Sequence, residues 1–163
     1  MFKVGDYMVY KRDVCEVIEI KKNHFNNNDY YILAPLFDKS LKIEVPIANR
    51  VGHLRELLSK EEIESIISQI PNIEALSTDN RYIENQYKAL MSSGEHTDLI
   101  KIIKTAYLRN QERIDNNKKI GDKDNNYFCQ AEKYLYQEFS IVLGMNYDET
   151  KEYVVNEVNK LND

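Results

Sequence analysis

Tryptophan is absent from this 163-residue chain, and glycine, proline, cysteine and histidine are scarce, at five, three, two and three residues. So few glycines leave no Gly-rich phosphate loop and no G-x-S-x-G nucleophile elbow. His24, His53 and His96 form no HExxH motif, no HxH pair and no Cys–His pair at ligand spacing. His24 reads as a loop residue, His53 as a capping or packing residue between strand and helix, and His96 as an exposed residue before a helix. Cys15 and Cys129 lie far apart with no metal-site spacing, so two buried free thiols in a reducing compartment are expected. Glu61, Glu62 and Glu64 fall in the first turns of a helix, where the dipole favours acids. Ser92 and Ser93 have no paired base nearby. With no catalytic constellation, the chain reads as a binding protein rather than an enzyme, with no cofactor, no metal and no small-molecule substrate. No apolar run approaches the ~20 residues that span a bilayer. The opening MFKVGDYMVY reads directly as folded sequence without a leader pattern. A cytoplasmic protein with no membrane partner is expected.

What the sequence does hold is charge, at 30% of residues with a formal net of −5, and tyrosine, with twelve. Tyrosine joins apolar area to a polar tip and suits boundary and interface positions. The charge is uneven. Residues 1–53 carry eight basic and seven acidic groups, net +1, whereas residues 54–163 carry 14 and 20, net −6. Within the acidic part, residues 101–123 hold seven cations against three acids, a local +4. Such a stretch is either a solvated face or a set of sequence-independent phosphate contacts, with Lys101, Lys104, Lys118 and Lys119 as the contributors.

Hydrophobic periodicity divides the chain near residue 53. The first part alternates with period two, as half-buried strands do. One strand surrounds the Gly5-Asp6 turn and a second covers Cys15–Ile20. The Asn-rich HFNNND suits a hairpin tip, because Asn tolerates left-handed backbone. Tyr30–Leu36 follows, with Pro35 marking a strand end or bulge. Leu41, Ile43 and Val45 then share one face of a fourth strand, with Lys42 and Glu44 on the other. So short a sheet buries little area, which predicts a small antiparallel barrel or a sheet leaning on a neighbour.

From Leu54 the period becomes helical. Ser59 and Glu62 have capping-box spacing ahead of a helix with Ile63, Ile66, Ile67 and Ile70, ended by Pro71. Asp79 or Asn80 is the expected cap of a second helix that buries Ile83, Tyr87 and Leu90 and stops at Gly94. A third helix from Thr97 or Asp98 places Leu99, Ile102, Ile103, Ala106 and Tyr107 on its apolar side. A polar loop over 116–126 precedes a fourth helix ending at Gly144. The last, capped at Asn146, buries Tyr153, Val154, Val158 and Leu161. The fold class is α+β: a small β module over 1–53, then an all-helical bundle of about five helices over 54–163.

The segments FKVGDYMVY, CEVIEI, YYIL, KIEVP and LREL, in that order, resemble the N-terminal module of CarD-like transcription regulators. That module is related to the RNA-polymerase-interacting domain of transcription-repair coupling factors. RYIENQYKALMSSGE, LIKIIKTAYLRNQER and AEKYLYQEFS resemble helices of the same family, so the likeness runs from about Phe2 to Glu157. It implies a Tudor-like β barrel that binds the β subunit of bacterial RNA polymerase. It also implies a helical domain that touches the promoter DNA backbone at the upstream edge of the melted region and stabilises the open complex. On this sequence the polymerase-binding strand would comprise Leu41, Lys42, Ile43, Glu44 and Val45. The DNA-binding residues would be Asn80, Tyr82, Lys101, Lys104, Lys118 and Lys119. The chain departs from the family pattern in three places. Tyr10-Lys11-Arg12-Asp13-Val14 replaces Tyr-Pro-x-His-Gly, which implies a differently shaped turn. Glu44 stands where relatives are often basic or polar. The family's fork-facing tryptophan is missing near Asp79 or Asn80, leaving Tyr82 as the nearest aromatic. The alternative is an adaptor that binds polymerase without direct DNA function.

Overall fold

The computed structural model describes residues 1–77 and 81–162. Asp79 and Asn80, expected as helix cap and DNA contact, lie outside the described residues. The fold is α+β. The chain divides into two compact units, Met1–Leu57 and Leu58–Asp163.

The first unit is a five-stranded antiparallel sheet of β1 (Tyr7–Tyr10), β2 (Asp13–Phe25), β3 (Asn28–Pro35), β4 (Ile43–Pro46) and β5 (Leu54–Arg55). Their spatial order is β4-β3-β2-β1-β5. Asn26 and Asn27 turn the β2–β3 hairpin with φ of 49° and 61°. A type I′ turn needs two left-handed residues, and Asn supplies them at low strain. β2 runs further than expected, to Phe25, which pairs with Asn28. Two register shifts interrupt it, one between Val17 and Glu19 and one between Lys21 and Phe25. At the second, Asn23 is left-handed, and the Asp29 carboxylate accepts its N–H at 3.0 Å and the Lys22 ammonium at 3.2 Å. Bulges of this kind bend a strand and strengthen its twist. One face of the sheet forms a core of Met8, Cys15, Val17, Tyr31, Leu33, Val45 and Leu54.

Two features differ from the sequence reading. Leu54 and Arg55, which open the helical period in sequence, instead pair with Tyr10 and Val9 as β5. The sheet is also open, with β4 and β5 as its edges, rather than a closed barrel. The connection between those two strands turns at Asn49 and Gly52, both left-handed. The Asn49 amide pins Leu54, accepting its N–H and donating to its carbonyl, each at 3.1 Å.

The second unit holds α1 (Lys60–Gln69), a 3-10 turn (Ile70–Asn72), α2 (Ile83–Ser93), α3 (His96–Asp115), α4 (Asp122–Leu143) and α5 (Tyr147–Asn162). Local signals set most of the ends. The capping box is complete: the Ser59 hydroxyl accepts the Glu62 N–H, and the Glu62 carboxylate accepts the Ser59 N–H, both at 3.1 Å. Pro71 converts the end of α1 into the 3-10 turn. Gly94 and Gly144 end α2 and α4 in left-handed backbone, each at φ 67°. The Asn146 side chain accepts the Glu149 N–H at 2.8 Å. Between these ends, Ile63, Ile67, Tyr87, Ile102, Ala106, Leu135, Phe139 and Val154 meet in one core.

The start of α2 differs from expectation: its N-cap is Tyr82, which makes no side-chain cap bond. The polar loop after α3 shrinks to 116–121, because α4 begins at Asp122. Asp122 and Asp124 suit a helix N-terminus, and Asp124 is drawn into the core by cations on α3. Tyr107 and Leu161, assigned to apolar faces from periodicity, are exposed.

Candidate functional site

In the sheet unit the sequence-predicted strand is an edge. β4 pairs with β3 alone, through Tyr31↔Val45 and Leu33↔Ile43, so its outer side has no strand partner among the described residues. Val45 is buried and Ile43 half-buried on the core face. Glu44 faces outward with Lys42, while Leu41 sits in the preceding turn at 49% exposure. Glu44 is held in place. Its carboxylate takes the His24 Nε2 at 2.9 Å and lies 3.8 Å from the Lys21 ammonium. The His24 hydrogen bond is the main cause of a Glu44 pKa below the ordinary glutamate value. His24 is thus the partner of an edge-strand acid rather than an idle loop residue, which sequence separation concealed.

In the helical unit, the seven cations of residues 101–123 do not form one patch. Arg109 Nε donates to Asp124 Oδ1 at 2.9 Å, and Arg113 lies 3.7 Å from the other carboxylate oxygen. Lys123 pairs with Glu84 at 3.0 Å. Lys104 departs from its expected role. Its ammonium turns inward to the carbonyls of Ile70 and of Ile73, at 2.7 Å from the latter, and so compensates the C-terminal end of α1. Lys101, Lys118 and Lys119 remain, without side-chain partners among the described residues. Lys101 is about 20 Å along α3 from the 116–121 loop, at ~1.5 Å per residue.

The structure does assemble a smaller group. The Glu84–Lys123 pair, and a 2.8 Å hydrogen bond from the Tyr87 hydroxyl to Asp124, set the first turns of α2 and α4 side by side. Arg81 and Tyr82, just before α2, therefore share one end of the unit with Lys118 and Lys119, just before α4. Tyr82 is 61% exposed, with the Arg81 guanidinium 5.9 Å from its ring centre. Arg81 escaped the sequence reading, although its place beside the aromatic was a visible signal. The lysine loop is tightly built. Asn117 is left-handed at φ 60°, the Lys118 N–H donates to the Arg113 carbonyl at 2.8 Å, and the Gly121 N–H donates to the Asn110 side chain at 3.0 Å. Gly121 packs against the Arg113 guanidinium, where a Cβ would sit 2.5 Å from Nη1.

The remaining titratable groups are mostly structural. His96, expected to be exposed, is the first residue of α3 and largely buried. It meets the Glu138 carboxylate at 3.0 Å, whose other oxygen accepts the Leu58 N–H at 2.8 Å. His53 is exposed, edge-on to Tyr10 at 6.0 Å. Cys15 is buried as expected, but Cys129 is exposed on the polar side of α4. Among the described residues no cluster of three or more His, Cys, Asp or Glu side chains could hold a metal ion, and no helix is long and apolar enough to cross a membrane. No known family model matches the chain, and no curated protein matches it.

Proposed function

We propose that the chain is a CarD-like regulator that binds the β subunit of bacterial RNA polymerase in the cytoplasm and stabilises the promoter open complex. In this reading the sheet unit is the Tudor-like module, and β4 extends a strand of the polymerase by edge-to-edge pairing. Main-chain hydrogen bonds supply affinity in that mode, and alternate side chains supply specificity. The observation that carries the proposal is the edge position of β4, with Val45 and Ile43 seated inward and Lys42 and Glu44 outward. The fixed carboxylate of Glu44 favours a basic neighbour on the partner strand. In the helical unit, Lys118 and Lys119 contact phosphates. Tyr82 takes the place of the absent tryptophan beside the exposed edge of the melted region. Lys101 is an outlying contributor, and Asn80, outside the described residues, is a further one.

The experiment is a polymerase β-subunit binding assay with Glu44→Lys and Lys42→Glu, repeated in a promoter-opening assay with Tyr82→Ala and Lys118→Ala/Lys119→Ala. Each tenfold loss corresponds to about 1.4 kcal/mol. Losing two phosphate contacts reduces the slope of log K against log salt by about 1.8. Polymerase binding unaffected by either β4 variant refutes the edge-strand role. The adaptor reading rests on a separate observation: four of the seven cations in residues 101–123 are engaged internally. Polymerase binding without any change in promoter opening selects it.

A further inference from the structure

The helical unit contains a second feature that the transcriptional reading does not use. α5 packs on α4, α1 and the 3-10 turn, leaving one flank of α3 open. An open groove of about 430 Å³ results, walled by α3 and α5 and floored by α4. That volume falls in the range of small-molecule sites, about 300–1,000 Å³. Its walls are apolar, with Ile100, Ile103, Leu135, Val154 and Val158 along the length and Phe128 at the side.

Three charged side chains enter the groove: Lys104, Glu132 and Lys151. Glu132 and Lys151 compensate each other at 3.2 Å. Burial raises the pKa of Glu132 against the pull of Lys151, and burial lowers that of Lys104. Titratable groups gathered in one apolar concavity make it a candidate ligand site. Lys104 holds the unbalanced charge. Its ammonium has three donors, and two go to the Ile70 and Ile73 carbonyls. The third has no acceptor among the described residues, and neither carbonyl carries a full negative charge.

An apolar channel with a net charge of +1 and one spare donor is complementary to a single carboxylate on a hydrocarbon body. We infer that the groove between α3 and α5 binds an apolar monocarboxylate of the medium-chain fatty acid class. The carboxylate meets the Lys104 ammonium, and the chain lies along Ile100, Ile103, Val154 and Val158. A phosphomonoester or a dicarboxylate would bring two charges to one unbalanced cation. A neutral hydrocarbon would leave the spare donor unanswered. The ligand site is independent of polymerase and DNA binding, so its failure leaves the proposed function untouched.

The test is calorimetric titration of the full chain with octanoate and decanoate below their micellar concentrations, and with decanol below its solubility limit. Decanoate is expected to bind about tenfold more tightly than octanoate, from burial of two further CH₂ groups, and at least tenfold more tightly than decanol. Lys104→Met should bring decanoate to the level of decanol. Because Lys104 also holds the 3-10 turn, Val155→Glu serves as a second variant. Val155 is 48% exposed at the rim, so the new carboxylate repels decanoate without disturbing the core. Saturable decanoate binding that falls in the rim variant supports the site. The inference is overturned by absence of binding at millimolar decanoate, by equal affinity for decanol, or by binding unchanged in both variants. Capture of an amphipathic helical peptide with no response to decanoate also overturns it, in favour of a protein occupant.

Discussion

Replacing Asp124 with alanine is the sharpest perturbation of the helical unit. Asp124 is 1% exposed and joins three helices. Its Oδ1 accepts the Tyr87 hydroxyl from α2 at 2.8 Å and Arg109 Nε from α3 at 2.9 Å, and Arg113 stands 3.7 Å from Oδ2. Asp124→Ala leaves the buried Arg109 guanidinium without its carboxylate, and breaking a buried pair from one side costs about 3–5 kcal/mol. Tyr87→Phe removes only one hydrogen bond to a charged acceptor, about 1.5–3 kcal/mol. A domain of this size loses roughly 4 °C or more per kcal/mol. Asp124→Ala should therefore lower the melting temperature of the helical unit by at least about 12 °C. Circular dichroism at a helix-sensitive wavelength, with urea denaturation for free energies, measures both variants and their double-mutant cycle. The two losses should be strongly non-additive, because they share an acceptor. A loss under about 1 kcal/mol for Asp124→Ala, or additivity within about 0.3 kcal/mol, would refute the account of a coupled buried network.

Three further outcomes follow from other sites. Burial raises the folded pKa of Glu132, so the native state binds the extra proton and stability falls as pH rises from the ordinary glutamate range. Glu132→Gln should accordingly be at least as stable as the native chain at pH 8, with the difference vanishing at acid pH in parallel urea titrations. The Cys15 thiol is pushed up to about 11, first by burial and then by the Asp13 charge, whereas Cys129 is exposed. Iodoacetamide at pH 8 should label one thiol in the folded protein and two in urea, read by mass spectrometry; labelling at Cys15 in the folded state would contradict its placement. Gly121→Ala puts a Cβ on the Arg113 guanidinium and should cost about 1 kcal/mol. That cost should disappear in an Arg113→Ala background, and its persistence there would assign it to the backbone instead.

Most elements were legible because their signals are local. The Ser59–Glu62 box, Pro71, the Asn26-Asn27 tip and the glycines at 94 and 144 each act within four residues of themselves. What escaped depends on partners far away in sequence. β5 is two residues long and exists only because Val9 and Tyr10 offer an edge. A two-residue strand spans a single repeat, too little for an alternation to show. His96 looked exposed because its partner, Glu138, is 42 residues away. The same limit distorted the reading of charge. A count of cations over residues 101–123 treats Lys104, Arg109 and Arg113 as surface groups, yet each is directed inward by an acceptor outside its own helix. Lys118 and Lys119 are exposed, and their place at the same end of the unit as Arg81 and Tyr82 follows from the pairing of α2 with α4, which no local signal carries.

The contact of Gly121 with Arg113 has a consequence for any anion that meets this end of the molecule. Ordering a residue's backbone costs about 1–2 kcal/mol. In the 116–121 loop much of that ordering is complete at folding, since the Lys118 amide, the Gly121 amide and the Arg113 side chain are each already held. A ligand of Lys118 and Lys119 has only side-chain rotamers left to fix. Preorganisation of this kind lets two exposed lysines bind with less entropic loss than the same pair on a slack loop. It also makes their spacing a property of the helical core rather than of the loop sequence.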